Sequence, residues 1–428
     1  MDSEKKDFLR NFIWNSLGTG INSFNSLFFS IGVTIINGLA TAGIFSIAYA
    51  TASILYTVAM YSGRLCQVTD VENKIKDKDY ITNRALTCMI MAVGAAIYLS
   101  IKRFTGPVEI RYSGFKIAVF ALLATFRGIE AFADILYGIM QKNGMLYKSG
   151  QSLTLKGVIG LGLFLLVDAI TKNLIFACIS LILVNIVFLF VFDYLIVTKK
   201  LINKEDKISK SNVLSILKSE FFVFANSFAG IYILNAPKYA IDSFLANEEI
   251  QAIYGYIMMP ATVMTLFTQF IVMPFLGKLK DLYEKKALEE ITKITFKIKL
   301  IVIAFGAFAV GCAYLLGPEF LGLIYGGIDL TPYRFNLCII IGSYIFYAIS
   351  YINLVTLTTI RHTFVQFVIY VISMVVAFVG SRILVRNFGI DGATFSCLTT
   401  LAIQFLMYAI TTKVIMKREE KKLIEKQA

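Results

Sequence analysis

The sequence predicts an all-α polytopic membrane protein, with about twelve transmembrane helices in two six-helix bundles. Three observations carry that prediction. The 428 residues are 57% hydrophobic and only 16% charged, with a mean hydropathy of +0.72, outside the balance of a soluble globule. The apolar residues gather into stretches that reach the roughly 20 residues a helix needs to cross a bilayer. The basic residues cluster in every second connection between those stretches.

The first ten residues, MDSEKKDFLR, are charged, and the helix after them is long and rich in Asn, Ser and Gly. That pattern argues against a cleaved signal peptide, which needs a short apolar core and a small-residue cleavage site. Spanning stretches follow near 12–36, 42–63, 85–101, 115–141, 153–169 and 174–197, then near 219–245, 251–277, 296–316, 335–358, 363–384 and 391–415. A polar break from Lys199 separates the two sets. The expected organisation is a first bundle over 1–198, a linker over 199–217, a second bundle over 218–416 and a basic tail over 417–428.

The halves look related. Asn15-Ser16-Leu17 opens the first span and Asn226-Ser227-Phe228 the seventh, while Ala42-Gly43-Ile44-Phe45-Ser46 is answered by Gln251-Ala252-Ile253-Tyr254-Gly255. One six-helix unit duplicated in parallel orientation accounts for both matches, and such proteins bind substrate between their halves.

With both termini cytoplasmic, 31 of the 41 basic residues fall on the inner side, in pieces such as 64–84, 142–156, 199–218 and 278–299 and in the tail. This is the asymmetry of the positive-inside rule. The net charge of +13 therefore implies anionic membrane lipid and no nucleic-acid partner. The connections are too short to fold as domains, so function has to reside among the helices. The six cysteines are scattered singly without a CxxC and read as buried hydrophobes.

The stretch from Phe115 to Gln141 carries Arg127, Glu130 and Asp134 at helical spacing, and Tyr137 and Gln141 continue the stripe. A charge at bilayer depth costs about 2.5 to 3.5 kcal/mol on insertion scales, so these residues face a cavity or a bundle interior. A structural reading makes Arg127 and Glu130 an interhelical lock, which leaves Asp134 unexplained. The functional reading is one polar wall of a transport cavity.

Elsewhere Lys238 and Asp242 share a face of the seventh span after Pro237, and Pro260 and Pro274 interrupt the eighth. Proline removes a backbone hydrogen bond and permits a hinge, although membrane helices also tolerate it. Lys238 and Asp242 are equally compatible with snorkelling to the outer surface. Asp168 and Lys172 read as a solvated turn at the end of the fifth span. Gly157, Gly160 and Gly162 lack a preceding strand and the spacing of a nucleotide loop, and read as helix-packing residues. The single histidine, His362, falls in a short turn, and no catalytic triad, HExxH, Walker or zinc spacing occurs.

Four stretches carry a resemblance. Gly63-Arg64-Leu65-Cys66-Gln67-Val68-Thr69-Asp70 leads to Asp79-Tyr80-Ile81-Thr82-Asn83-Arg84. The second stretch is Glu130, Asp134, Tyr137-Gly138, Gln141 and Ser152. The third is Ala236-Pro237-Lys238-Tyr239-Ala240-Ile241-Asp242 with Ala252-Ile253-Tyr254-Gly255 and Met259-Pro260, and the fourth is Gly317-Pro318-Glu319-Phe320 through Tyr325-Gly326. In order and spacing these resemble polysaccharide and O-antigen flippases of the Wzx type, within the multidrug/oligosaccharidyl-lipid/polysaccharide (MOP, MATE-like) exporter superfamily. Thr69 departs conservatively from the serine expected there.

The resemblance implies twelve helices in two bundles around a V-shaped cavity. It also implies export of an undecaprenyl-pyrophosphate-linked oligosaccharide across a bacterial cell membrane by ion-coupled alternating access, with a polymerase and glycosyltransferases as partners. No cofactor is expected beyond a coupling proton or sodium ion, and no enzymatic activity. Arginine matches phosphate oxygens bidentately, so Arg127 is the first candidate for the pyrophosphate, followed by Lys238, then Arg64 and Lys156 near the inner mouth. Glu130, Asp134 and Asp242 are candidates for ion coupling, and Pro237 and Pro260 for hinges. A cation or drug antiporter of the same superfamily shares this fold. A membrane polysaccharide polymerase or ligase would resemble a chain with one large outer loop, which this sequence does not have. A major facilitator would need a GxxxDRxGR-like loop where this chain has GRLCQVTDVENK.

Overall fold

A computed structural model describes residues 2–70, 75–105, 107–203 and 205–425; the segment 71–74, between the two parts of the first motif, lies outside them. The first unit begins with α1 (Asp2–Asn37), α2 (Leu39–Met60), α3 (Gly63–Thr69), α4 (Asp77–Phe104), α5 (Gly114–Lys142), α6 (Leu146–Thr171) and α7 (Leu174–Val187). The last of these continues as a π-helical segment, Phe188–Val197. Next come α8 (Lys210–Ser219), α9 (Phe221–Phe244), α10 (Glu248–Ile257), α11 (Met259–Val272), α12 (Phe275–Glu284), α13 (Leu288–Ile324), α14 (Arg334–Thr359) and α15 (Thr363–Glu425).

Side chains set many of the starts. The Ser113 hydroxyl accepts from the Lys116 amide at 3.1 Å and opens α5, and Asn173 and Asn247 cap α7 and α10 in the same way. Asp77 and Asp79 sit in the first turn of α4 and Lys102 and Arg103 in its last, each sign at the helix end that favours it. Between α1 and α2 the chain turns at Gly38, whose φ of 82° suits glycine.

Among the described residues nine helices are long and apolar enough to span, or ten if the pair α8 and α9, bent by 51°, is one span. The protein is a multi-pass membrane protein. The charged α5 is not among the nine, and the 63-residue α15 is broken at Gly389, φ 57° and ψ −129°. Twelve crossings are reached only by counting that bent pair, admitting α5 and taking α15 as two.

Several helices run past their expected ends. α4 starts at Asp77 instead of near 85, α6 at Leu146 instead of near 153, and α13 continues through Pro318 to Ile324. Hydropathy drops at charged residues, yet Asp79, Arg84 and Lys156 are buried inside these helices, where partners compensate them. Conversely, the stretch expected near 251–277 is divided: Pro260 stands in the first turn of α11 and Pro274 caps α12, while Pro237 lies inside the continuous α9.

The chain divides into two compact units, Met1–Phe228 and Ala229–Ala428. In the first, α5 is the central helix, touching α2, α3, α4, α6, α7 and the π segment. Close approach of α1 and α6 is allowed by glycine: a Cβ on Gly150 would run into the Trp14 backbone, and Gly157 faces Ile21. Gly160 faces Leu181, whereas Gly162 faces open space. In the second unit α14 has the central place, packed by α10, α11, α12, α13 and α15, with a core that includes Ile298, Val302, Ile352 and Tyr408.

Candidate functional site

The interior of the first unit is polar along one face of α5. Arg127 Nη1 lies 2.6 Å from Glu130 Oε2, one turn away. Its guanidinium carbon lies 4.5 Å from the Tyr49 ring centroid and 5.3 Å from that of Tyr56, both on α2. Such cation–π stacking suits the planar, weakly hydrated guanidinium. The buried Arg127 Nε has no hydrogen-bond partner.

One turn further along, Asp134 is not left over. Arg64 Nη1 from α3 lies 3.0 Å from Oδ1 and Arg84 Nη2 from α4 lies 3.3 Å from Oδ2. Arg64 also donates to Gln141 Oε1 at 2.9 Å, and Arg84 to the Ala59 carbonyl at 2.8 Å. The charges of α5 therefore belong to two separate pairings, one with α2 and one with the α3–α4 corner. Beside the second, a Cβ on Gly138 would collide with the wholly buried side chain of Gln67. This explains why the corner packs so tightly against α5.

The α4 motif also holds the linker. Asp79, fully buried, accepts from the Ser209 amide and from Asn212 Nδ2, each at 2.7 Å, and Asn83 donates to the Val213 carbonyl at 3.2 Å. Tyr61 donates to the Leu217 carbonyl and stacks on Phe224 at 4.3 Å. Thus α8 and the first turns of α9 pack with the first unit.

Lys156, expected near the inner mouth, is buried inside α6 and lines a cavity of about 10 Å³, room for a single water. Glu130, Asn22, Asn25, Tyr49 and Asn185 share that cavity. Asp168, expected in a solvated turn, is fully buried and accepts from Asn37 Nδ2 at 2.6 Å, because α1 runs alongside α6 there; its neighbour in the reading, Lys172, is exposed. In the second unit Asp242 is buried on α9, and Lys238, one turn before it, has no hydrogen bond or ion pair among the described residues. His362 sits in the turn between α14 and α15, with Nε2 3.5 Å from Glu419.

The structure therefore brings together Arg127 with Glu130, Arg64 with Asp134, and Glu130 with Lys156 across a cavity. Three residues escape a census of apolar spans: Arg84 and Asp79, which hydropathy assigns to a loop, and Asp193. For Arg84 and Asp79 the DYITNR spacing was a signal. For Asp193 the signal was a lone carboxylate in the most apolar span of the chain, Leu174–Lys200 with a hydropathy of 3.0.

No protein-family model matches the chain. A stretch of 216 residues, 49% of this chain, is 26% identical to the capsular polysaccharide biosynthesis protein CapF of Staphylococcus aureus and spans about half of that relative, 52% of its length. Among solved structures, the lipid II flippase MurJ in an inward closed conformation matches with a TM-score of 0.70 at 13% identity, over 94% of this chain and 87% of that one. An inward-facing multidrug resistance MATE family transporter of the MOP superfamily matches with a TM-score of 0.63 at 13% identity, over 95% and 99%. The chain has the fold of these MATE-like transporters.

Proposed function

We propose that the protein is a flippase that carries an undecaprenyl-pyrophosphate-linked oligosaccharide from the inner to the outer leaflet of the bacterial cell membrane, for surface polysaccharide synthesis. The observation that carries this reading is Arg127, a guanidinium inside the helix bundle, flanked by aromatic rings, with one carboxylate partner and an unpartnered Nε. A pyrophosphate is the kind of ligand such a group takes, because its oxygens match the guanidinium fork. Lys156 and Arg64 add cations within the same unit, and Lys238 offers an uncompensated one in the second. The names of the flippase and of the capsular relative are consistent with a lipid-linked sugar cargo.

Coupling follows from the Arg127–Glu130 pair. A proton or sodium ion taken up by Glu130 weakens its hold on Arg127, freeing the guanidinium for the anionic cargo, and loss of that ion restores the pair. Asp134 and Asp242 are further coupling candidates, and Pro237 and Pro260 are the hinges. The clustering of basic residues in alternate connections supports cytoplasmic termini, against anionic lipid, where a glycosyltransferase would supply the cargo; a polymerase would take it up on the outer side.

Expression in a bacterial null strain without its own flippase, together with the cognate glycan pathway, tests the reading. Surface glycan is expected to return. Accumulation of lipid-linked oligosaccharide on the inner leaflet, with the protein well inserted, would favour the second reading, a cation or drug antiporter, for which the multidrug transporter match speaks.

A further inference from the structure

Among the described residues five carboxylates lie buried inside the first unit, and they are not alike: Asp79 accepts from the Ser209 amide and the Asn212 side chain. Glu130 is held by Arg127 and Asp134 by two arginines, while Asp168 accepts from a neutral amide. Asp193 is wholly enclosed and carries no ion pair within 4 Å among the described residues; its Oδ1 has no hydrogen-bond partner, and its Oδ2 accepts from the Tyr137 hydroxyl at 3.3 Å, with the Ser152 hydroxyl beside it. A carboxylate taken out of water without a direct cationic partner is expensive in its charged form and comfortable in its protonated one.

The surroundings make it more than a buried acid. Asp193 stands in the ten-residue π-helical segment, and π-helical turns are frequent at functional sites. Tyr137, its partner from α5, also exchanges a hydrogen bond with Ser152 of α6 at 3.1 Å. One turn along α6, Lys156 Nζ lies 5.2 Å from the centre of the Tyr137 ring. Lys156 in turn shares the water-sized cavity with Glu130. The charged and titratable groups facing Asp193 are thus Tyr137 from α5 and Lys156 from α6, with Lys148 of α6 close by over the Phe192 ring at 5.9 Å. α7 has no charged residue.

We infer that Asp193 is a proton-carrying site, linked through the Tyr137 hydroxyl to Lys156 and through the cavity to Glu130. In the forward step the Lys156 ammonium hands a proton to Glu130 across a water, which relaxes the grip of Glu130 on Arg127. Lys156 is restored to the ammonium by the Tyr137 hydroxyl as the Asp193 carboxylic acid returns a proton to the Tyr137 oxygen. The net products are an Asp193 carboxylate and a protonated Glu130, with Lys156 an ammonium before and after. One proton moves and no other bond changes. The line runs from the end of the span where Lys199 and Lys200 begin to the charged face of α5. Its place in coupling rests on the transport reading above; the protonation itself does not.

Infrared difference spectra of the purified protein, taken between mildly acidic and mildly alkaline buffer, test this without any cargo. A buried carboxylic-acid C=O band is expected to appear on acidification, to be lost in Asp193→Asn, to persist with a shift in Asp193→Glu, and to shift in Tyr137→Phe, which removes the hydroxyl that donates to Asp193. Size-exclusion profiles of the variants establish that they fold. A band that survives Asp193→Asn, or that Tyr137→Phe leaves unmoved, overturns the inference. Failure of surface-glycan rescue with the band intact would count against the flippase reading and not against the proton site.

Discussion

The Arg84 guanidinium, only 1% exposed, lies 3.3 Å from Asp134 and fastens the α4 corner to the central helix of the first unit. Its other nitrogen reaches the Ala59 carbonyl at 2.8 Å, to which the Thr87 hydroxyl also donates, at 2.7 Å. Removing one partner of a buried pair strands the other charge, and typically destabilises by about 3 to 5 kcal/mol. Arg84→Ala is therefore expected to lower the thermal midpoint of the purified protein more than Arg64→Ala, because Arg64 is partly solvated and Asp134 keeps Arg84. Replacing both members, Arg84→Met with Asp134→Leu, should recover much of the loss in the same melting experiment.

Asp79 sets the linker in place. Its two hydrogen bonds hold the Ser209 amide and the Asn212 side chain at the start of α8, where a negative charge is favoured by the helix dipole. Loss of a capping group costs about 0.5 to 2 kcal/mol, and here the stranded donors are partly buried. Asp79→Ala should speed tryptic cleavage at Lys207 and Lys210 several-fold while leaving the helical circular dichroism unchanged. Unaltered cleavage would mean that Asn83 and Tyr61 alone hold α8.

Much of the fold was legible because hydropathy reports directly on which segments lipid accepts. The all-helical membrane class follows from composition, and the gap expected between 384 and 391 holds the break at Gly389. The helix ends were less legible. A window of hydropathy reads Arg84, Asp79 and Lys156 as water-facing, and only their partners on distant elements, Asp134, Asn212 and the Glu130 cavity, make them interior. The same holds for the site. The spacing of Arg127, Glu130 and Asp134 revealed one face of a helix, but i,i+4 arithmetic cannot tell that Asp134 turns to arginines seventy and fifty residues away in sequence. Asp193 was hidden because a lone carboxylate has no spacing to read.

The glycines of α6 divide by what they face. At Gly150 a methyl group would meet the Trp14 backbone, which has no rotamer with which to escape, while at Gly162 nothing lies within 4 Å. Overpacking of a well-filled contact costs about 1 to 3 kcal/mol. Gly150→Ala should lower the thermal midpoint and the yield of folded protein, and Gly162→Ala should leave both unchanged or slightly raise them through better helix propensity. Equal effects at the two positions would show that the α1–α6 contact is looser than its geometry.

Arg127 decides between lock and ligand. If its work is only to join α5 internally and to stack on Tyr49, then Arg127→Ala with Glu130→Ala removes both charges together and should transport as well as the parent. If the guanidinium meets an anionic cargo, the double variant should be as inactive as Arg127→Ala alone, with surface glycan in the complemented strain falling to background in both. Arg127→Lys separates charge from shape: an ammonium keeps the cation but not the planar fork or its stacking, so transport should drop strongly with insertion and melting temperature little changed. A double variant that restores glycan to the parental level would assign Arg127 to structure and move the cargo site to Lys156, Arg64 or Lys238.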